Sequence, residues 1–284
     1  MVGGVRKRVI AAAAAFFAFT AMQAPPAKPL GPLSLWRLDC GTFLIKDFGG
    51  FFSDTFAYKP GQAKDIASSC YLIRNGGRYM LWDTGIPAAM AEKPAENAAQ
   101  RISLKRTIAD QLKQLGVRPE QIEIIGISHH HFDHTGQAAG FPNAKLVMGK
   151  GDLDFLKAAP APAGGDPPLK HWLSGGGKVV EATRDVDIFE DGRVIMLDTP
   201  GHTPGHNALL VRLASGNVLL TGDLYHFTEQ VALKGVPPFN HDRADTLASM
   251  DRFDKIAKNL NAKVIIQHEP GDVAKLPAFP KAAQ

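Results

Sequence analysis

The chain has 284 residues, of which 45% are hydrophobic and 21% are charged, as in an ordinary globular protein. The formal net charge is +4, but three of the positive charges, Arg6, Lys7 and Arg8, lie close to the N-terminus. Without them only one net positive charge remains, and no long basic run is left elsewhere. The composition therefore argues against a nucleic-acid partner.

The first predicted element is a secretory signal peptide over residues 1–24. Its basic residues precede an apolar stretch from Val9 to Phe19, which is shorter than the roughly 20 residues that a bilayer-spanning helix needs. A short apolar stretch behind a basic start is typical of a signal peptide, and an uncleaved anchor is the alternative. We expect a periplasmic or secreted protein with no stable membrane span after processing and a single domain over residues 25–284.

Strand patterns begin after this segment. Leu33–Ile45 is predicted to form a long strand. Cys70–Ile73 and Tyr79–Trp82 are predicted to form a hairpin, because Asn75-Gly76-Gly77 between them favours a tight turn. These segments predict the first part of a β-sheet.

The chain has two cysteines, Cys40 and Cys70, and each lies in a predicted strand. Two cysteines in a chain of this length do not make a disulfide framework, and free cysteines are often buried in the core. We predict two buried free thiols. A disulfide between them is the alternative if the protein is exported to an oxidising compartment.

Helices and strands alternate along the rest of the chain. A helix is predicted from Asn97 to Leu115, and a buried strand from Ile122 to Ile127 follows it. Residues 158–177 are rich in Pro and Gly and are expected to form a loop or lid. The later predicted elements are the strands Val194–Leu197, Ala208–Leu213, Val218–Leu220 and Lys263–Ile266 and the helix Ala244–Leu260. This alternation predicts a layered α/β fold.

The segment that follows the strand Ile122–Ile127 has potential metal ligands at four of its six positions. It reads His129-His130-His131-Phe132-Asp133-His134, that is, His-x-His-x-Asp-His, with His130 predicted to face away in a structural role. Imidazole and carboxylate ligands suit Zn, Fe or Mn, and the segment has no cysteine for a thiolate site. A solvated loop or an expression tag is the alternative, but a tag would not contain Phe132 and Asp133. The segment predicts a metal site.

Three further candidate ligands, His202, Asp223 and His268, each lie just beyond the end of a predicted strand. Loops at one edge of a sheet converge in space, so these residues can meet the first segment in one cleft. Together they give five histidines and two aspartates, whereas one structural site needs only four ligands. We therefore expect two metal ions. His171 and His241 lie in predicted loops and are expected to be solvated.

The combined pattern resembles the metallo-β-lactamase-fold hydrolase superfamily. It consists of His-x-His-x-Asp-His, then Thr-Pro-Gly-His-Thr-x-Gly-His, then Thr-Gly-Asp and finally a histidine at the end of a strand. The resemblance implies a four-layer αββα sandwich with the metal site at one edge of the β-sandwich. It implies that His129, His131 and His202 bind one metal, that Asp133, His134 and His268 bind the other, and that Asp223 bridges both. Asp83 and His206 resemble residues that orient these ligands.

Within the superfamily, the chain looks most like the N-acyl-homoserine lactonases. This resemblance rests on His131-Phe132-Asp133-His134 and on the strand that leads to Asp83-Thr84-Gly85-Ile86-Pro87. It implies a quorum-quenching hydrolase that opens a lactone ring with two divalent ions, Zn or else Fe, Co or Mn. Asp133 is expected to pass a proton to the leaving oxygen. The alternatives are an exported phosphotriesterase or arylesterase, a mononuclear-iron persulfide dioxygenase, and a binding protein with a structural metal. A β-lactamase is disfavoured, because such enzymes usually lack an aspartate at the position of Asp223.

The resemblance also predicts the residues that contact a small ester or lactone substrate. The family often has a tyrosine three residues after the bridging aspartate; here His226 occupies that position and Tyr225 precedes it, so both are candidates for contacting the substrate carbonyl. Phe132 is predicted to border the cleft. Phe48 and Phe51, in an aromatic loop over residues 48–58, are predicted to line an acyl-chain pocket. The alternatives for this loop are ordinary core and the contact of a homodimer.

Overall fold

The structure, a computed structural model, describes residues 31–49, 51–158 and 167–284, together with Met1, Gly3 and Gly4. The predicted signal peptide lies outside the described residues apart from those three, and so do residues 159–166 of the predicted loop. Gly31–Gln284 is one compact unit. Among the helices of the described residues, none is long and apolar enough to cross a membrane.

The first sheet has eight strands, and its two halves differ in strand direction. In chain order they are β1 (Leu33–Ile45), β2 (Lys64–Asn75), β3 (Arg78–Trp82), β4 (Ala95–Glu96), β5 (Gln100–Ser103), β6 (Ile122–Ile127), β7 (Lys145–Gly149) and β8 (Val179–Ala182). Their spatial order is β4-β5-β1-β2-β3-β6-β7-β8. The strands from β4 to β3 pair antiparallel, which confirms the predicted β2–β3 hairpin. The strands from β3 to β8 pair parallel, so their carboxyl ends meet at one edge.

The second sheet has five strands. They are β9 (Val186–Asp187), β10 (Val194–Asp198), β11 (Asn207–Leu213), β12 (Gly216–Leu220) and β13 (Lys263–Ile265). Their spatial order is β13-β12-β11-β10-β9. Only the pair of β12 and β13 is parallel, so Asp223 and His268, which follow these two strands, leave the sheet at the same edge.

Seven α-helices lie among the described residues. They are α1 (Ile108–Gln114), α2 (Phe132–Thr135), α3 (Lys150–Ala158), α4 (Lys170–Leu173), α5 (Thr228–Leu233), α6 (Arg243–Asn259) and α7 (Pro270–Val273). The predicted helix from Asn97 is wrong in its first half. Thr107 caps α1 by accepting the backbone N–H of Asp110, and β5 before it pairs with β1. Pairing with β1 thus prevails over local helix propensity there.

Three buried clusters give the fold its layers. Trp82 and Leu35 of the first sheet pack with Met196 and Leu209 of the second in one cluster, so the two sheets lie face to face. A second cluster places α1, α3 and α4 on the outer face of the first sheet. A third, with Met250 and Phe253, places α6 on the outer face of the second sheet. The predicted four-layer αββα architecture is confirmed.

Cys40 and Cys70 form a disulfide, so the prediction of two free thiols is wrong. Their strands β1 and β2 are antiparallel neighbours, and the register shifts between Asp39 and Thr42. This irregularity leaves the two Cα atoms 5.8 Å apart, a normal separation for a disulfide. Strand register of this kind is not visible from the spacing of the cysteines alone.

Candidate metal centre

The candidate site is assembled from loops that follow five strands. Residues 129–134 follow β6, Asp83 follows β3, and the His202 loop follows β10. Asp223 and His268 follow β12 and β13. The structure thus brings together, at one edge of the two sheets, the strand ends that carry all seven predicted ligands.

The seven residues form two groups. The ligand atoms of one group lie within 4.8 Å of one another, and so do those of the other. The first group is His129, His131, His202 and Asp223, and the second is Asp133, His134 and His268. Five of these side chains are buried, and those of His131 and Asp133 are partly exposed to solvent.

The carboxylate of Asp223 lies between the two groups. Its Oδ1 atom is 3.1 Å from Nε2 of His134 and 3.0 Å from Nε2 of His268. Its Oδ2 atom is 3.4 Å from Nε2 of His202 and 3.7 Å from Nε2 of His129. Each oxygen therefore faces a different group, which is the arrangement that a bridging ligand requires.

The protonation states of the two groups differ. Burial lowers the pKa of His129 and His202 well below the ordinary value, and it lowers the pKa of His131 to about 4. The first group thus offers neutral imidazoles, the form that binds metal. Burial also acts to lower the pKa of His134, but the carboxylates of Asp223 and Asp83 outweigh it and hold that pKa well above its usual range.

Two buried atoms at the centre have no hydrogen-bond partner among the described residues. They are Nε2 of His134 and Oδ1 of Asp223. They lie 3.1 Å apart, but their geometry is not that of a hydrogen bond. Unpaired buried polar atoms are costly, and these two converge on common space. The donor set therefore fits a bound cation.

Asp83 holds the second group in place. Its Oδ1 accepts the backbone N–H of Ser128 at 2.7 Å, and its Oδ2 lies 2.9 Å from Nδ1 of His134. The φ angle of Asp83 is 57°, in the left-handed region that is unusual for a residue other than glycine. The contact with Nδ1 leaves the Nε2 atom of His134 facing Asp223, an arrangement that suits a residue that orients a ligand.

Gln267 is a buried residue of the site that the sequence did not single out. It is fully buried, and its Oε1 accepts hydrogen bonds from Nε1 of Trp82 and from the backbone N–H of Gly222, both at 3.0 Å. Its Nε2 donates to Oδ2 of Asp83 at 2.9 Å. Gln267 thus links the loop of Asp83 to the loop of Asp223. Its position directly before His268 was the one available signal.

The cleft beside the centre has apolar walls and a volume of about 120 Å³. Its wall residues are Phe43, Ile45, Phe52, Ile66, Gln100, Phe132 and Phe239. The structure places Phe132 at the cleft, as predicted. Phe48 and Phe51 are not among the lining residues, so the prediction for these two is wrong. Phe48 is buried against Phe227, and Phe51 is 55% exposed and packs against Phe52 and Phe239.

The sequence profile of the metallo-beta-lactamase superfamily matches residues 63–268. The chain belongs to the metallo-β-lactamase superfamily. It is 32% identical over 238 residues to the N-acyl homoserine lactonase AttM of Rhizobium radiobacter, covering 78% of this chain and 89% of that protein. It is 27% identical over 233 residues to an N-acyl homoserine lactonase of Bacillus sp., covering 78% and 89%.

Solved structures of the superfamily share the fold. A crystal structure of a Bacillus thuringiensis AiiA variant, with N-decanoyl-L-homoserine bound at its active site, has a TM-score of 0.74 and 22% identity. The match covers 89% of this chain and 100% of that chain. AidC, described as a dizinc quorum-quenching lactonase, has a TM-score of 0.62 and 19% identity, covering 90% of this chain and 91% of that one.

Just after Asp223, the adjacent side chains of Tyr225 and His226 point in opposite directions. His226 borders the cleft, with Nε2 3.1 Å from Oδ2 of Asp223 and its ring stacked on His268. Tyr225 points the other way, where its hydroxyl lies 3.0 Å from Oδ1 of Asp254 beneath α6. The prediction of a catalytic Tyr225 is therefore wrong, because its side chain does not reach the cleft.

The remaining histidines either form hydrogen bonds that support the site or lie apart from its centre. His206 accepts the backbone N–H of Asp223 at Nε2 and donates from Nδ1 to the carbonyl oxygen of Thr199, each at 2.9 Å. His171 packs against Trp172, and His241 is exposed. The ring of His130 stacks on Phe155 and lies edge-on to the ring of His131, with ring centroids 5.0 Å apart.

Proposed function

We propose that this chain is a metal-dependent N-acyl homoserine lactonase, which hydrolyses the ester bond of the lactone ring. The observation that carries the proposal is an apolar cleft that opens directly onto the two groups of candidate ligands. Such a cleft suits a substrate with an apolar acyl chain and a polar reacting end. The similarity to the curated lactonases, which extends over 89% of the AttM protein, supports the same activity.

The residues would hold two divalent metal ions, and we propose zinc, with Fe, Co and Mn as the alternatives. Five imidazoles, two carboxylates and no thiolate form a donor set that suits these ions. The description of AidC as a dizinc lactonase supports zinc. When bound, the ions would supply an activated water and polarise the lactone carbonyl.

We assign the other chemical roles to side chains that border the cleft. Asp133 lies 3.6 Å from Nε2 of His268 and is the partly exposed carboxylate of the centre, so it can accept the proton that the attacking water loses and pass it to the leaving ring oxygen. His226 presents Nε2 at the cleft and can donate a hydrogen bond to the substrate carbonyl. Phe43, Phe132 and Phe239 would hold the acyl chain and exclude water from the reacting carbonyl.

The test is a ring-opening assay on protein of measured metal content, with a series of N-acyl homoserine lactones of increasing chain length. We expect turnover of the lactones and its loss in Asp223→Ala, with paraoxon hydrolysed far more slowly. Faster turnover of paraoxon than of any lactone would contradict the proposal in favour of a phosphotriesterase. One iron per chain together with oxygen consumption would indicate a persulfide dioxygenase instead.

We also propose that the protein is exported to the periplasm or beyond. The basic and apolar pattern of residues 1–24 supports this, as does the disulfide between Cys40 and Cys70, since disulfides persist in oxidising compartments. N-terminal sequencing of the mature protein from a fractionated cell tests it. An intact N-terminus in the cytoplasmic fraction would contradict export. A homodimer, introduced above as an alternative role for the aromatic loop, stays a prediction, and gel filtration with light scattering tests it.

A further inference from the structure

Asp152 is a buried carboxylate outside the candidate ligands. It lies in the first turn of α3 and has 0% exposure. Within the described residues no lysine or arginine pairs with it; its one ionisable partner is His130, whose Nδ1 lies 3.2 Å from Oδ2. Burying a carboxylate is costly unless hydrogen bonds compensate for it. The retention of this charge in the core therefore needs an explanation.

The hydrogen bonds of Asp152 go to two loops that carry candidate ligands. Its Oδ2 accepts the backbone N–H of His130 and the hydroxyl of Thr203, both at 2.9 Å. Its Oδ1 accepts the backbone N–H of Gly205 at 2.8 Å. His130 lies between the ligands His129 and His131, and Thr203 directly follows the ligand His202. One carboxylate thus joins the loop after β6 to the loop after β10.

The backbone around Asp152 is shaped for this contact. A Cβ atom on Gly149 would lie 2.0 Å from the carbonyl oxygen of Gly205, and one on Gly151 would lie 2.4 Å from that of Pro204. A Cβ atom on Gly205 would lie 2.4 Å from the backbone nitrogen of Asp152. Glycine at these three positions lets the start of α3 approach the loop closely enough for Asp152 to bond to it.

The contacts of Asp152 are restricted to one metal site. His129, His131 and His202 are the three histidines of the first group, and all lie next to groups that bond to Asp152. The second group is positioned differently, through Asp83 and through the contact of Nδ1 of His268 with the carbonyl oxygen of Ala67 at 2.6 Å. No hydrogen bond of Asp152 reaches the second group among the described residues.

We propose that Asp152 is a positioning residue for the first metal site alone, which fixes the separation between the His129–His131 loop and the His202 loop. This inference rests on the proposed metal centre. Loss of a residue that orients metal ligands typically weakens metal binding by about 10- to 100-fold. We therefore expect Asp152→Asn to weaken the first site by that factor and to leave the second site unchanged. An amide in this position would turn an NH₂ group toward N–H donors.

The test measures metal affinity in two backgrounds, by competition with a chelator and by the visible absorption of bound cobalt. His268→Ala leaves the first site as the intact one, and there Asp152→Asn should raise the dissociation constant by about 10- to 100-fold. His202→Ala leaves the second site as the intact one, and there the same substitution should change nothing. Equal weakening in both backgrounds, or no weakening in either, would overturn the inference.

Two further variants serve as a control and as a second test of the proposal. Asp254→Asn alters a carboxylate whose hydrogen bonds go to Tyr225 and Lys234, and to neither loop among the described residues; it is expected to leave both sites unchanged. If Asp152→Asn does not fold, Thr203→Val removes one of the hydrogen bonds and should weaken the first site selectively, by less than Asp152→Asn would. A Thr203→Val protein with unaltered first-site affinity would then count against the proposal. A wild-type chain that binds no metal would instead overturn the metal centre itself.

Discussion

His206 accepts a hydrogen bond at Nε2 from the backbone N–H of Asp223, at 2.9 Å. Its Nδ1 donates to the carbonyl oxygen of Thr199, so the bond at Nδ1 fixes which nitrogen carries the proton. This hydrogen bond thereby fixes the position of the Asp223 backbone between the two groups of ligands. Because Asp223 faces both groups, we expect a change at His206 to affect both of them.

His206→Phe is therefore expected to weaken both metal sites, in contrast to Asp152→Asn. The substitution leaves the buried N–H of Asp223 without its acceptor, which costs roughly 1–3 kcal/mol of stability, and metal affinity should fall by about 10- to 100-fold. Chelator competition and thermal unfolding measure the two effects. His171→Phe, a histidine apart from the centre, is the matched control. Unaltered affinity at either site in His206→Phe would contradict this role.

Metal binding is expected to release a proton from His134. The carboxylates of Asp223 and Asp83 hold the pKa of His134 well above its usual value despite burial, so the metal-free protein carries a proton there at neutral pH. A ligand must lose that proton, so metal affinity should fall as the pH falls. Calorimetric titration in two buffers of different ionisation enthalpy counts the protons. Observed binding enthalpies that do not depend on the buffer would argue against this.

Substitution of His226 is expected to affect catalysis, whereas substitution of Tyr225 is expected to affect stability. His226→Phe removes the proposed donor to the substrate carbonyl and should lower kcat by about 10²- to 10³-fold, as for other lost donors of this kind. Tyr225→Phe removes a hydroxyl that bonds to Asp254 outside the cleft and should cost about 1 kcal/mol of stability with little change in kcat. Steady-state kinetics beside thermal unfolding distinguish them. A catalytic defect confined to Tyr225→Phe would reverse the assignment.

Phe239 is expected to contribute to acyl-chain recognition. It lines the cleft, is 42% exposed and packs against Phe52, so its truncation should perturb the fold little. We expect Phe239→Ala to lower kcat/KM for long-chain lactones by about tenfold, since a buried methylene contributes ~0.8 kcal/mol, and to affect short-chain lactones less. Leu233→Ala, also exposed but outside the cleft, serves as the control. An equal loss for all chain lengths would show that Phe239 does not contact the chain.

The parts of the site that sequence could predict are those that a short motif or the end of a strand specifies. His129, His202 and Asp223 each lie a few residues beyond the end of an apolar strand, and the ends of these strands meet at one edge of the two sheets. Asp152 and Gln267 were not predictable in this way. Their roles depend on hydrogen bonds between loops that are distant in sequence, and neither residue belongs to a recurring local pattern.

Errors arose where the direction of a side chain depends on irregular backbone. The turn after Asp223 sends Tyr225 and His226 to opposite sides, and neither periodicity nor spacing defines such a turn. The aromatic loop lines the cleft through Phe52 and not through Phe48 or Phe51, and Phe43 and Ile45 of β1 line it as well. The alternation of side chains along β1 places these two on one face. In the same way, the shift in register of β1 decides the pairing of Cys40 with Cys70.

The parallel pairing of β13 with β12 has a consequence for the order in which the centre is completed during folding. His268 follows β13, whereas the other six candidate ligands lie between residues 129 and 223. A chain in which β13 has not yet joined the sheet has every candidate ligand of the first group but lacks one of the second. Stoichiometric binding of a second ion would therefore report that the last strand is in place.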